Sequence, residues 1–227
     1  ELKTVGLSYV GVSLDGLEEI NDRFRGKPGA FSKAMTGIRN CQEAGIKVGL
    51  RLTLNKMNLA EVPRIFDLVE ESDIPRVCFY HLVYAGRGSE LIEQDLDHEE
   101  TRKVVDLIAK RTKDLHDRGK PKEVLTVDNH ADGPYLYLKM VKEGNQRAAE
   151  VLQLLKMNEG NSSGRGIACV SWDGAVHADQ FWRHYSFGNV KARPLRRWPR
   201  KSLYAPQESE AGTLDGLAAI RWSKNLK

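Results

Sequence analysis

Two polar residues interrupt an apolar run in this 227-residue chain: Arg51 and Asn55 lie in or just after Lys47 to Leu54, where Val48, Leu50, Leu52 and Leu54 alternate. Such alternation predicts a half-buried strand, and the even spacing of Arg51 and Asn55 puts both on one side of it. They suit a ligand-binding pair, and equally a satisfied arginine at a strand end. A guanidinium meets the two oxygens of a carboxylate with paired donors. Further on, His130 and Asp132 fall in the polar run from Asp128 to Pro134, with Tyr135 and Tyr137 close behind. Asp173, His177, Asp179 and His184 have the side-chain types of a mononuclear metal site. Hairpin aspartates and histidines flanked by aromatics such as Trp182 more often shape loops or touch substrates, so no metal site is expected. The three cysteines, Cys41, Cys78 and Cys169, are widely spaced and form neither CxxC nor CxxxCxxC. An odd, dispersed set argues against a secreted disulfide framework and fits a reducing cytoplasm.

The elements that must position these residues follow from periodicity. Tyr9 to Ser13 reads as a buried strand that stops at Asp15-Gly16. A polar loop is expected from Asn21 to Gly29, then a helix carrying Phe31, Ala34, Met35, Ile38 and Cys41 on one face and stopped by Gly45. The strand from Lys47 leads to a helix around Glu61 to Val69 with Pro63 in its first turn. A third strand, Arg76 to Val83, passes through a Gly86-Arg87-Gly88 loop into a helix from His98 to Arg118, where Asp97 and Glu100 have capping-box spacing. Cys41 and Cys78 are therefore core positions, and Cys169 alone lies near ligand-type residues. Three strand-then-helix units imply parallel strands with helical crossovers, an α/β sheet or barrel. In such folds function gathers in the loops after the strands, here Ser13–Gly16, Leu54–Asn58 and Tyr84–Gly88.

Beyond Lys120-Pro121 the pattern changes. Leu125 to Val127 is one more strand candidate, Tyr135–Val141 and Gln146–Leu155 suit short helices, and residues 160–166 form a glycine- and serine-rich hinge. Ile167–Ser171 and Ala175–His177 then flank Trp172-Asp173-Gly174, a hairpin signal. The net charge of +4 is unevenly placed: residues 191–227 hold nine Lys/Arg against three acidic residues, which leaves the rest at −2. A general nucleic-acid-binding reading from bulk charge loses its force. No apolar run reaches the roughly 18 residues of a membrane span, so neither nucleic acid nor membrane is an expected partner.

Tyr9-Val10-Gly11-Val12-Ser13-Leu14-Asp15-Gly16, with Asn21-Asp22-Arg23-Phe24-Arg25 after it, resembles the fourth strand and following loop of radical SAM enzymes of the SPASM-type branch. The resemblance runs on through residues 45–55 and Tyr84-Ala85-Gly86-Arg87-Gly88. Asn129-His130-Ala131-Asp132-Gly133, residues 160–164, residues 177–185 and Gly188-Asn189-Val190 narrow it to the NirJ family, the radical SAM proteins of haem d1 biosynthesis. It covers about residues 5–194. The fold implied is a partial radical SAM (β/α) barrel, about units four to six, over 1–120. A C-terminal SPASM-like auxiliary region over 121–190 and an atypical, poorly ordered basic tail over 191–227 complete the expectation.

The cofactors implied are S-adenosylmethionine and a 4Fe-4S cluster whose CxxxCxxC ligands are not in this chain, which therefore reads as a fragment unable to cleave S-adenosylmethionine alone. By the same resemblance Ser13 hydrogen-bonds S-adenosylmethionine, Arg25 pairs with its carboxylate, and Asp15, Arg51 and Asn55 complete the cofactor set; the residues by themselves read equally as turn-formers and surface charge. His130, Asp132, Trp182 and His184 are the substrate set. The implied reaction removes propionate side chains from a sirohaem-derived tetrapyrrole by 5′-deoxyadenosyl radical chemistry, with a flavodoxin or ferredoxin as electron donor. In the family pattern a cysteine follows the hairpin glycine by five positions, where this chain has Asp179. The alternatives are a non-catalytic tetrapyrrole- or nucleotide-binding α/β protein, and a radical SAM enzyme for another haem-pathway or peptide substrate.

Overall fold

Four runs with strand character, β1 (Tyr9–Ser13), β2 (Lys47–Thr53), β3 (Arg76–Tyr80) and β4 (Glu123–Val127), form one parallel sheet in chain order in the computed structural model. The structure describes residues 3–158, 160–194 and Leu203. They fall into two compact units, Glu1–Gly160 and Asn161–Lys227. The register aligns Ser13, Arg51, Cys78 and Leu125 in one row across the sheet, hence on one face.

Helices fill every crossover. α1 (Glu18–Arg25) and α2 (Ala30–Glu43) join β1 to β2, α3 (Val62–Glu71) joins β2 to β3, and α4 (His98–Asp117) joins β3 to β4. α5 (Asp132–Lys142) and α6 (Ala148–Asn158) follow β4. Ile38 from α2, Val62, Ile65, Phe66 and Val69 from α3 and Val104, Val105, Ile108 and Leu115 from α4 pack on Val48, Leu50, Leu52, Val77 and Phe79. One face of the sheet is thus the core, with Phe66 stacked on Phe79 at 5.4 Å between ring centroids. On the opposite face Gly11, Ser13, Arg51 and Leu125 are exposed. Sequential parallel strands with helices on one side are the wall of a (β/α) barrel seen in part, the architecture expected.

Local signals act as the sequence requires. Asp97 accepts hydrogen bonds from the N–H groups of Glu99 and Glu100, and the Glu100 side chain accepts from Asp97 N–H, a complete capping box for α4. Such a cap contributes about 1 kcal/mol. Pro63 sits in the first turn of α3, where no intrahelical bond needs its missing N–H.

Three expectations change. The segment from Asn21 is not a loop: α1 continues to Arg25, because Leu17, Ile20, Asn21 and Phe24 share one face and Asn21 is buried as a polar member of that stripe. Asp132, Gly133 and Pro134 are the first turn of α5 rather than loop, a position that tolerates proline. The division at residue 120 also moves, because β4 hydrogen-bonds to β3 in the same sheet and the first unit runs to Gly160.

In the second unit β5 (Cys169–Val170) and β6 (Val176–His177) pair antiparallel. Ser171 N–H donates to Ala175 carbonyl and Gly174 N–H to Ser171 carbonyl, closing the turn that Trp172-Asp173-Gly174 signalled. Val176 N–H then bonds the Gly188 carbonyl, bringing Gly188–Val190 beside the hairpin. The expected basic tail, from residue 195 on apart from Leu203, lies outside the described residues.

Candidate functional site

Parallel strands place every strand end of the same polarity on one edge, and here the polar groups collect at the C-terminal edge. Ser13 ends β1 exposed. The chain then turns inward at Leu14 and Asp15, which are 0% and 3% exposed. Gly16 has φ +151°, and a Cβ there would sit 2.5 Å from the Ile20 side chain, so only glycine admits the turn into α1.

Asp15 is the hub of this end. Its Oδ1 accepts from Thr53 N–H at 3.0 Å and its Oδ2 from the Arg25 guanidinium. Its own N–H donates to Asn21 Oδ1, and its carbonyl accepts from Asn58 Nδ2, both at 3.0 Å. Burial pushes the Asp15 carboxyl above its ordinary value, against the Thr53 N–H and the Arg25 charge, which favour the anion. Asp15 therefore holds Arg25, which retains about a third of its side-chain exposure for a further partner.

Arg51 and Asn55 separate. Arg51 is exposed on the open face and lies across Gly11, where a Cβ would be 2.6 Å from Nε. Asn55 is 0% exposed: its Nδ2 donates to Thr53 carbonyl and its Oδ1 accepts from Met57 N–H. The strand stops at Thr53, so the two-residue period does not carry through to position 55 and the two do not share a side. Asn55 shapes the loop after β2, as does Asn58, whose amide donates to Thr53 and Asp15 carbonyls and accepts from Asn55 N–H.

A second group lies at the ends of β3 and β4. Asp132, at the start of α5 and 5% exposed, accepts from Asn129 Nδ2 and pairs with His81 Nε2, each at 2.8 Å. His130 is exposed in the preceding turn. Asp128, just before them, has φ +67°, a left-handed conformation that aspartate adopts more readily than most residues other than glycine. Burial raises the Asp128 carboxyl, opposed by the charges of His81 and His130. His81 was hidden in the sequence because it closes an apolar run; its place one residue past a parallel strand was the available signal. Asn21, Asn58 and Glu61 were likewise missed, since buried polar loop anchors carry no periodicity. Glu61 Oε2 accepts from Leu17 N–H at 3.3 Å.

In the second unit Trp182 Nε1 donates to His184 Nε2 and the two rings lie 5.2 Å apart at 60°. The polar atoms that suggested a metal site are turned to other work. Asp173 accepts from Ala175 N–H, Asp179 from Phe181 and Trp182 N–H, and His177 Nδ1 bonds the Tyr185 carbonyl at 2.7 Å. Burial alone would raise the Asp179 carboxyl, but the Ser163 hydroxyl and the two N–H groups outweigh it and hold the carboxyl below its ordinary value. Asp179 thus serves as a turn anchor where the family pattern has a cysteine.

Among the described residues no group of three or more His, Cys, Asp or Glu is arranged to hold a metal ion. Cys41 packs on the helical core, Cys78 is buried in β3 and Cys169 belongs to the other unit. These cysteines do not fit a 4Fe-4S cluster. No helix among the described residues is long and apolar enough to cross a membrane.

Comparison with known proteins gives no matching family model. The chain is 69% identical over 195 residues to the Fe-coproporphyrin III synthase of Methanosarcina barkeri, covering 86% of this chain and 49% of that protein. It is 41% identical over 195 residues to the pre-heme d1 synthase of Dinoroseobacter shibae, covering 84% and 48%. Among solved structures, anSMEcpe with bound AdoMet and Kp18Cys peptide superposes with a TM-score of 0.56 at 16% identity, covering 85% of this chain and 51% of that one, a likeness of fold. The chain spans about half the length of the curated relatives it matches.

Proposed function

We propose a function from one premise: this chain belongs to the radical SAM family of haem-pathway proteins, of which it forms a partial chain. On that premise it supplies the cofactor- and substrate-side wall of an enzyme acting on a carboxylate-bearing tetrapyrrole. One observation carries the reading. The polar groups collect on the open face and at the C-terminal strand ends, opposite the helical core, in a chain 69% identical to an Fe-coproporphyrin III synthase.

A 4Fe-4S cluster, whose ligands are not among these cysteines, would supply the radical chemistry, and the residues of this edge would hold S-adenosylmethionine. Ser13 and Arg51, both exposed, offer a hydroxyl and a guanidinium to its polar groups. Arg25, held by Asp15, directs its remaining donors to its carboxylate. Asn55 keeps the loop between them in shape. Within the first unit His130 offers an exposed imidazole to a tetrapyrrole; within the second, Trp182 and His184 offer a ring face and an edge to a flat ligand. The greater identity to the Fe-coproporphyrin III synthase favours a reaction that yields a coproporphyrin-type tetrapyrrole over propionate removal on the haem d1 branch, which the 41% relative keeps as the second haem-pathway reading. A flavodoxin or ferredoxin is the proposed electron donor.

The second reading is a non-catalytic tetrapyrrole-binding role. Absorption titration of the chain with iron coproporphyrin III and with sirohaem tests both readings. Binding at about 10 μM or tighter, stronger for iron coproporphyrin III, is expected. Failure to bind both tetrapyrroles overturns the tetrapyrrole assignment. Anaerobic iron–sulfur reconstitution is expected to give no 5′-deoxyadenosine from this chain alone, and a stoichiometric product would overturn that expectation.

A further inference from the structure

The resemblance put Asp132 in the substrate set, but neither it nor the strand pattern paired Asp132 with His81. Asp132 is committed on both oxygens, Oδ1 to Asn129 and Oδ2 to His81 Nε2, so it has little capacity left for a substrate. His81 is committed on one nitrogen. Its side chain is 12% exposed, and no buried side-chain nitrogen or oxygen among the described residues lacks a partner. No hydrogen bond engages His81 Nδ1, so that atom reaches solvent at the mouth formed by the ends of β3 and β4. Its backbone is fixed as well, with His81 N–H donating to the Val127 carbonyl at 2.9 Å.

A carboxylate that accepts from Nε2–H leaves Nδ1 as the acceptor in the neutral ring. It also stabilises the imidazolium that forms if Nδ1 takes a proton. We propose that His81 is a carboxylate-binding residue of the tetrapyrrole site and that Asp132 is its positioning residue, an inference that rests on the function proposed above. When a substrate carboxylate docks at Nδ1, the ring takes one proton from solvent. The imidazolium then donates through Nε2 to Asp132 and through Nδ1 to the ligand. No bond to carbon changes and no oxidant is required. The titratable groups around it are Asp132 on α5, and Asp128 and His130 in the loop after β4.

Calorimetric titration with metal-free coproporphyrin III at pH 8, repeated in two buffers of different ionisation enthalpy, reads the protons taken up. The wild-type chain is expected to take up about one proton per porphyrin. His81→Gln, whose amide still satisfies Asp132, is expected to take up none and to bind at least tenfold more weakly. Asp132→Asn presents an NH2 to Nε2 and so moves the neutral ring's hydrogen to Nδ1, where it can donate to the carboxylate directly; proton uptake is expected to fall, with weaker binding through loss of the charge on the ring. Nitrogen-15 histidine spectra of the wild type, which need no variant, are expected to show His81 Nδ1 becoming protonated on porphyrin addition. Binding with unchanged proton uptake in His81→Gln, or uptake that vanishes only in His130→Gln, overturns the inference and leaves the tetrapyrrole reading standing. Failure of the wild type to bind overturns both.

Discussion

The two faces of the four-stranded sheet are built from the same strands, yet they do different work. Val48, Leu50, Leu52, Val77 and Phe79 point one way and are at most 1% exposed beneath α2, α3 and α4. Gly11, Ser13 and Arg51 alternate with them and are exposed. Parallel sheets are ordinarily covered on both sides. Here one side carries the folding energy, while the other presents Gly11, Ser13 and Arg51 beside the exposed Leu125, so stability and ligand chemistry are separable by substitution.

Phe79→Ala should break the covered face hardest. The ring is fully buried against Phe66, and its removal is expected to cost about 4 kcal/mol, read as a lower denaturation midpoint in guanidinium chloride. Arg51→Ala should leave the midpoint within about 1 kcal/mol of wild type, while S-adenosylmethionine affinity measured by calorimetry falls about tenfold. A large stability loss at Arg51 would erase the distinction between the faces.

The smallest effect belongs to the outer surface of the helices. Glu70 is held by Arg118 at 2.6 Å and Lys120 at 2.9 Å, and their hydrogen bonds lower its carboxyl from 4.5 to about 2. A depressed carboxyl stabilises the fold above its unfolded value and loses that contribution as pH falls through the folded one. Glu70→Gln should therefore be slightly less stable than wild type at neutral pH, and melting curves should converge between pH 4.5 and about 2. Asp15 has the opposite sign: its carboxyl is raised, so its contribution is full below 3.8 and declines as pH rises through the folded value. Asp15→Asn should remove that downward slope.

The strands and the three crossover helices were legible because each has a period, two in the strands and 3.6 in the helices, and because Asp97 with Glu100, Pro63 and Gly45 mark helix ends locally. α1 was not, since its buried stripe includes Asn21, a residue whose amide oxygen finds its donor in the Asp15 N–H once the chain folds. The boundary near residue 120 failed for a related reason: the pairing of β4 with β3 is a contact between segments more than forty residues apart.

At the site, the residue types and their positions at strand ends were fixed by the chain alone. Tertiary structure decided their partners. It gave Arg25 to Asp15, closed Asn55 into its own loop, turned Asp179 into an anchor for Phe181 and Trp182, and set His81 against Asp132 from fifty-one residues away. Periodicity reports which side a residue faces; only the folded chain decides which buried polar atom finds which partner, because an unpaired one costs about 1–3 kcal/mol, and among the described residues no buried side-chain polar atom is left without one.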